Sequence, residues 1–186
     1  GKPVENEKSI VGKQTHPPVP KTPKKASKQQ ILGSIRVPKN ATLYKMIEYI
    51  YGTYDPGYLK SIIKANTRIK NPRSIQVGTA LAIPIIKDNL QQWPDSEYFF
   101  TISEHKTLEQ AYFTARRFNS LNIRTKIIIN PSTLKADRYM VTLRNTFATC
   151  DAATRYLAEN KLTDAAVCLP VAFLFSHPES LARTSD

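Results

Sequence analysis

Hydrophobic residues recur at helical spacing in two short stretches of the N-terminal half. In the first, apolar residues three and four apart predict one buried helical stripe, made of Leu43, Met46, Ile47, Ile50 and Tyr51. Gly52 follows at once, where a helix C-cap favours a residue that can adopt positive φ. Asp55 and Pro56 are typical of the start of a second helix, whose buried face is expected to be Leu59, Ile62 and Ile63.

Extended runs flank these two helices, at residues 35–37 and 80–83. The predicted order is therefore strand, helix, helix, strand within residues 34–85. Residues 1–33 are rich in Lys and Pro and lack aromatic residues, so they are expected to form a disordered linker.

Residues 35–84 resemble the LysM module, through residues 39–43, Tyr51-Gly52, Asn66, the Ile75-x-Val-Gly78 turn and residues 81–84. LysM modules bind N-acetylglucosamine-containing glycans such as peptidoglycan. The resemblance implies a small βααβ module with a sugar groove between two loops, formed by Lys39, Asn40, Ala41, Thr42, Asn66, Arg68, Ile69 and Asn71. Where the family usually has Gly-Asp, this chain has Asn40-Ala41, so Asn40 is expected to be left-handed and Thr42 or Asn40 to cap the helix.

The C-terminal half shows a weak internal repeat of a strand followed by a helix. Strands are predicted at residues 98–102, 123–129, 139–143 and 165–169, with a hairpin at 130–137. The helical faces are expected to be Leu108, Ala111, Tyr112, Ala115 and Phe118, and then Ala153, Tyr156 and Leu157. Thr107 and Thr149 are predicted N-caps, and Asn122 and Asn160 are predicted left-handed residues after the helices. The predicted fold class is α+β, with a βαββαβ ferredoxin-like domain and a four-stranded antiparallel sheet over residues 97–172.

The two Tyr-led strands, each followed by an Ala-rich helix, resemble the SPOR domain. Members bind peptidoglycan strands without stem peptides on the exposed face of the sheet. Strand alternation then places Phe99, Thr101, Ser103, Met140, Thr142 and Arg144 on that face. Alternatively, residues 173–175 or the other domain cover Phe99 and Met140. Trp93, in the connector 86–96, is expected to pack against a flanking domain, and residues 173–186 to form a polar tail.

The positive charge is concentrated in the N-terminal half. The net charge is +12, and residues 34–86 hold eight basic residues against two acidic ones, whereas residues 97–186 hold eleven against nine. Such a surface attracts polyanions, including nucleic acid, anionic lipid and cell-wall polymers. A solvated surface without a partner is the alternative for the linker.

No catalytic constellation is evident, and no cofactor or metal is expected. His16, His105 and His177 have no neighbours at metal-ligand spacing. Cys150 and Cys168 are the only two thiols, and they either form a disulfide or stay as two separate buried thiols.

These features predict a non-enzymatic peptidoglycan-binding protein of the bacterial periplasm or cell envelope, with any membrane attachment through an upstream anchor. Other envelope proteins are further expected partners. One alternative is a protein-interaction scaffold in a secretion or division machine that has lost sugar binding. Another, less favoured because the excess charge lies elsewhere, is RNA binding on the second sheet with Phe99 as a stacking residue.

Overall fold

The computed structural model of the protein describes residues 1, 29–86, 93–129, 139–162 and 167–172. These residues form a mixed α+β structure with four helices and two antiparallel sheets, one of them four-stranded. In chain order the elements are β1 (Ile31–Arg36), α1 (Leu43–Tyr51), α2 (Pro56–Ala65), β2 (Ala80–Pro84), β3 (Tyr98–His105), α3 (Leu108–Ser120), β4 (Thr125–Ile129), β5 (Tyr139–Leu143), α4 (Cys150–Glu159) and β6 (Val167–Pro170). The predictions for residues 2–28, 130–137 and 173–186 lie outside the described residues.

The first four elements form the N-terminal unit, in which β1 and β2 pair antiparallel and place Ser34 opposite Ala82. β1 begins at Ile31, so the predicted linker boundary at residue 33 is wrong, and Leu32 is already a buried strand residue. The whole predicted stripe of α1 is buried. In α2 only Ile62 of the predicted face is buried, whereas Leu59 and Ile63 are half-buried and Tyr58 is buried instead.

Turn residues of the N-terminal unit follow the sequence prediction. Asn40 is left-handed with φ 60°, and Thr42 caps α1 by accepting a hydrogen bond from the Lys45 backbone N–H. Gly52 ends α1 with φ 79°. Asp55 caps α2 by accepting a hydrogen bond from the Gly57 backbone N–H, and Pro56 follows at the first helical position.

The remaining elements form a four-stranded antiparallel sheet in the order β4-β5-β3-β6, with α3 and α4 packed on it. Thr107 and Thr149 cap these helices as predicted, and Asn122 is left-handed with φ 65°. The prediction for Asn160 is wrong. Its φ is −90°, its side-chain amide donates to the Tyr156 carbonyl, and Lys161 takes the left-handed conformation instead.

A single buried cluster joins the N-terminal unit to the sheet. Helix α3 contributes Leu108, Ala111, Tyr112 and Ala115 to the same core as Ile35 and Ile47. Two hydrogen bonds also cross between the units: the Tyr139 hydroxyl donates to the Leu32 carbonyl at 2.8 Å, and the Arg36 backbone N–H donates to the Glu109 carboxylate at 3.2 Å. The packing is therefore continuous across the predicted domain boundary.

A disulfide joins Cys150, at the start of α4, to Cys168 in β6, with the two Cα atoms 5.8 Å apart. Of the two alternatives for these residues, the separate buried thiols are therefore wrong. The bond ties the last strand of the sheet to the helix above it, across a sequence separation of 18 residues.

Candidate functional site

A cavity of about 730 Å³ opens between β2 and the loop that connects α2 to β2. The loop lines it with residues 66–71, 74–76 and Thr79, and β1 and β2 line it with Ser34, Ala80 and Ala82. Because Ile35, Leu81 and Ile83 point into the core, strand alternation turns Ser34 and Ala82 toward the cavity.

Asn66 fixes the loop to β2. Its side-chain amide N–H groups donate to the carbonyls of Ile62 and Ala82, both at 2.7 Å, and its side-chain oxygen accepts from the Ala82 N–H at 2.8 Å. Since both amide hydrogens are used, Asn66 positions the wall of the cavity and is not a donor for a ligand.

The rest of the loop is shaped by two further turns. The Ile69 N–H donates to the Asn66 carbonyl at 2.9 Å, and the Asn71 side-chain oxygen accepts from the Arg73 N–H at 2.9 Å. The Ser74 N–H then donates to the Asn71 carbonyl. The first is a backbone turn and the second is a side-chain turn of Asn71, and together they hold this irregular segment in one shape.

The lining of the cavity is apolar on one side and polar on the other. Ile69 and Ile75 are half-buried and pack against the core, so they form an apolar floor. The exposed rim residues carry hydroxyl, amide and cationic groups, from Thr67, Arg68, Lys70, Asn71, Ser74 and Gln76. An apolar surface with a few convergent polar groups is the usual composition of a ligand site, and it suits the apolar faces and hydroxyl edges of sugar rings.

Only half of the first predicted groove lines this cavity. Arg68, Ile69, Asn71 and the structural Asn66 do so. The turn residues Lys39, Asn40, Ala41 and Thr42 do not line it, so the structure does not bring them together with the loop residues in this cavity, and their role in sugar binding stays a prediction. Asn40 and Thr42 shape and cap the start of α1, and Ala41 packs against the core. The opposite wall includes Ser34, Ala80 and Ala82, and the alternation of Ala80 and Ala82 with the buried Leu81 and Ile83 could have indicated the last two.

The second predicted site is not an open surface. Phe99, Met140 and Thr142 are 0% exposed and Thr101 is 4% exposed. Trp93 stacks on Phe99 with ring centroids 5.5 Å apart, in agreement with its predicted packing role. These two rings form a second buried cluster with Ile128, Met140 and Val171. Glycan binding on this face, and the alternative of RNA stacking on Phe99, both need an accessible ring, and the predicted exposure of Phe99 is wrong. The continuous apolar run 127–129 was the missed signal, since a strand buried on both faces has no polar alternation.

A bulge in β3 also changes the predicted place of Ser103. Thr101 lies opposite Thr142, but Ser103 lies opposite Val141, so the register shifts by one residue between them. Cross-strand partners share a face, so Ser103 lies on the helix side with Val141, where its hydroxyl is 3.0 Å from His105 Nε2. Arg144 is half-buried beside Trp93.

Within the described ranges, no group of three or more His, Cys, Asp or Glu residues could hold a metal ion. Among the helices that the structure describes, none has the length and apolar character needed to cross a bilayer.

Comparisons with known proteins identify no relative: no protein-family model, no curated protein and no solved structure matches this chain. A functional assignment therefore depends on the geometry and chemistry of the chain's own residues.

Proposed function

We propose that the chain binds an N-acetylglucosamine-containing glycan, such as peptidoglycan, in the cavity between β2 and the loop 66–76. The observation that carries the proposal is the combination of an apolar floor, Ile69 and Ile75, with a hydroxyl, amide and cationic rim, in the stretch that resembles LysM. The floor would pack against a ring face or an N-acetyl methyl group, and the rim would exchange hydrogen bonds with hydroxyl and amide groups.

The charge of the rim favours a cell-wall polymer over a neutral glycan. Arg68 and Lys70 line the cavity, and Arg73 lies in the same loop. Carboxylates of a wall polymer would be attracted to these exposed cations, with an energy that falls as salt is raised. We infer a non-catalytic role, in which the protein holds an envelope protein or complex to the wall in an oxidising compartment compatible with the Cys150–Cys168 disulfide.

We propose one glycan-binding site on the chain and not two. The LysM-like unit supplies the cavity, and the SPOR-like βαββαβ unit supplies the sheet and helix against which that unit packs. Binding is therefore expected to show a single weak affinity, without the avidity that two tethered sites would produce.

Filling the cavity provides the sharpest test. Ala80 is exposed, lies in β2 and lines the cavity, and a strand tolerates an aromatic residue at such a position. Ala80→Tyr should reduce co-sedimentation with purified peptidoglycan sacculi. It should also weaken the affinity for chitin oligomers, measured by amide chemical-shift changes, by about tenfold or more. Ile31→Tyr is the matched control, because Ile31 is an exposed strand residue outside the cavity.

The protein-interaction scaffold is the second candidate, and one observation favours it: the predicted sheet-face site is buried in the protein's own core. If the unchanged chain neither co-sediments with sacculi nor shifts with chitin oligomers, glycan binding is wrong and the scaffold is favoured. Equal binding by Ala80→Tyr and the unchanged chain would contradict the assignment of this cavity.

A further inference from the structure

A second cavity, of about 390 Å³, lies where the N-terminal unit meets the sheet. Tyr51 and Thr53 line it from the end of α1, and Lys126 and Arg144 line it from the sheet. Trp93, Asn145 and Thr146 complete the wall. No residue of this cavity lines the proposed glycan site, so the two sites can be tested separately.

Two cationic side chains share this small space. Lys126 is only 2% exposed, and its Nζ lies 4.4 Å from the centroid of the Trp93 ring. Burial, and then the nearby charge of Arg144, lower the pKa of Lys126 from 10.5 to about 7. Two like charges in a partly desolvated pocket disfavour each other, and an anion placed between them would reverse that energy.

The backbone around the cavity holds both cations in place. Gly52 comes so close that a Cβ added there would lie 3.2 Å from Arg144 Cγ and 3.3 Å from Lys126 Cβ. The Trp93 indole N–H donates to the Arg144 carbonyl at 3.1 Å, and the Thr146 hydroxyl donates to the Glu97 carboxylate. These contacts fix the Arg144 backbone and the first side-chain carbons of both Lys126 and Arg144.

We propose that this cavity binds a small oxyanion, a carboxylate or a phosphate group, between the Lys126 ammonium and the Arg144 guanidinium. Both groups form charge-assisted hydrogen bonds with such anions, and guanidinium groups match their geometry. The Thr53 hydroxyl and the Asn145 amide are further, uncharged donors among the residues that line the cavity. A bound anion would thus connect the N-terminal unit to the sheet.

Binding should depend on pH in a defined direction. An anion favours the charged ammonium, so binding raises the pKa of Lys126 and takes up a proton near neutral pH. For an anion whose own charge does not change over this range, the affinity should therefore be higher at pH 6 than at pH 8. Among the residues that the structure describes, Arg144 and Tyr51 line the cavity with Lys126, and Glu97 lies beyond Thr146. Burial raises the pKa of Tyr51 above its usual value, so its hydroxyl stays protonated in this range.

The single Trp residue makes the test specific, because Trp93 lines the cavity beside Lys126. The full chain is titrated with inorganic phosphate and, separately, with malonate, at constant ionic strength kept with sodium chloride. We expect a saturable change in Trp fluorescence, with amide shifts at residues 53, 126 and 144–146. Lys126→Met and Arg144→Gln should each weaken the affinity by about tenfold or more, the usual loss for a charge-assisted hydrogen bond.

Arg124→Gln is the matched control, since Arg124 is exposed and does not line the cavity. Arg144→Gln keeps the Cγ atom that packs against Gly52, and thermal unfolding of each variant checks that it is folded. Saturation by phosphate alone identifies a phosphate site, and saturation by malonate alone identifies a carboxylate site. A linear response that chloride reproduces, or equal affinity in Arg144→Gln and the unchanged chain, would overturn the proposal.

Discussion

Asn66 joins the end of α2 to β2 through its side chain alone. Three hydrogen bonds, to Ile62 and twice to Ala82, leave neither amide hydrogen for solvent or ligand. Its side chain is half-buried, so losing it leaves backbone groups of two elements without their partner. Asn66 belongs to the stretch that resembles a sugar-binding motif, but its side-chain amide stabilises the wall of the cavity and does not face a ligand.

Replacing Asn66 by Ala should lower the free energy of unfolding by about 2–3 kcal/mol, because partly buried backbone groups lose their hydrogen bonds. Urea unfolding of both proteins measures the difference. Asn71→Ala removes one exposed bond to the Arg73 N–H and should cost about 0.5–1 kcal/mol. Similar losses in the two variants would show that Asn66 is not a structural anchor.

Lys126 should give the unfolding free energy a distinct pH dependence. Its pKa is about 7 when folded, against 10.5 ordinarily, so between these values the unfolded chain binds more protons. Stability from this group therefore rises with pH across that window, by at most about 1.4 kcal/mol per pH unit, and is constant below it. Urea unfolding at pH 7 and pH 9 should show a smaller rise for Lys126→Met than for the unchanged chain.

Lys60→Met is the control for this comparison, because Lys60 is exposed on α2 and should keep the unchanged pH profile. A profile of Lys126→Met that is parallel to that of the unchanged chain would contradict the assigned pKa.

Local turn chemistry was predictable at most of these single positions. Asn40 and Thr42 have the predicted roles because a left-handed turn and an N-cap depend on the residue and its immediate neighbours. Asn160 differs because its amide bonds to the Tyr156 carbonyl within the helix, and Lys161 then takes the left-handed conformation. A side chain with two local options cannot be assigned to one of them from the sequence.

At the scale of elements, the C-cap of α1 is also a packing surface. Gly52 has φ 79°, and a Cβ there would meet Arg144, Lys126 and the Thr125 carbonyl at 3.2–3.3 Å. Gly78 has a similar φ of 83°, but nothing lies within 4 Å of its Cβ position. The two glycines therefore separate the cost of a left-handed backbone from the cost of close contact.

Gly78→Ala should destabilise the protein by about 1 kcal/mol, which is the cost of left-handed backbone for an L residue. Gly52→Ala should cost more, about 2–4 kcal/mol, because overpacking adds to that strain. Thermal or urea unfolding of both variants measures the difference. Equal costs would mean that α1 and the sheet are not as closely packed at Gly52.

Helices and strands were predictable in order and type, but not always in the face that they bury. The prediction of the buried stripe of α1 was correct, because its apolar residues fall on one side of the helix. The prediction that the second face of the four-stranded sheet is open was wrong, because Trp93 and Val171, which lie outside the predicted strands, cover it. The bulge in β3 is likewise set by pairing with β5, so the alternation of residues 98–103 alone could not reveal it.

At the scale of the whole molecule, the N-terminal unit and the sheet share one core. Tyr112 of α3 is 1% exposed and its ring lies 6.2 Å from that of Tyr49 in α1. A fifty-residue unit has little core of its own, so this packing stabilises it. The sequence pattern predicted two modules because hydrophobic periodicity describes each element separately, whereas contacts between distant elements leave no local periodic signal.

Tyr112→Ala should therefore destabilise both units together, by about 3–5 kcal/mol. Amide signals of β1 and β2 and those of β4 and β5, followed in urea, should disappear with one shared midpoint in the variant and in the unchanged chain. Phe113→Ala is the control, because Phe113 is 48% exposed on the same helix and should have a much smaller effect. Separate midpoints for the two sheets would show that the units fold independently.

The shared core also restricts when the chain can fold during its synthesis. The ribosome releases β1, α1, α2 and β2 first, but the apolar face of that unit is covered by α3 and by residues as late as Val141. The nascent N-terminal half must therefore keep an incomplete core while the next strands are translated, as expected for folding intermediates with exposed apolar surface.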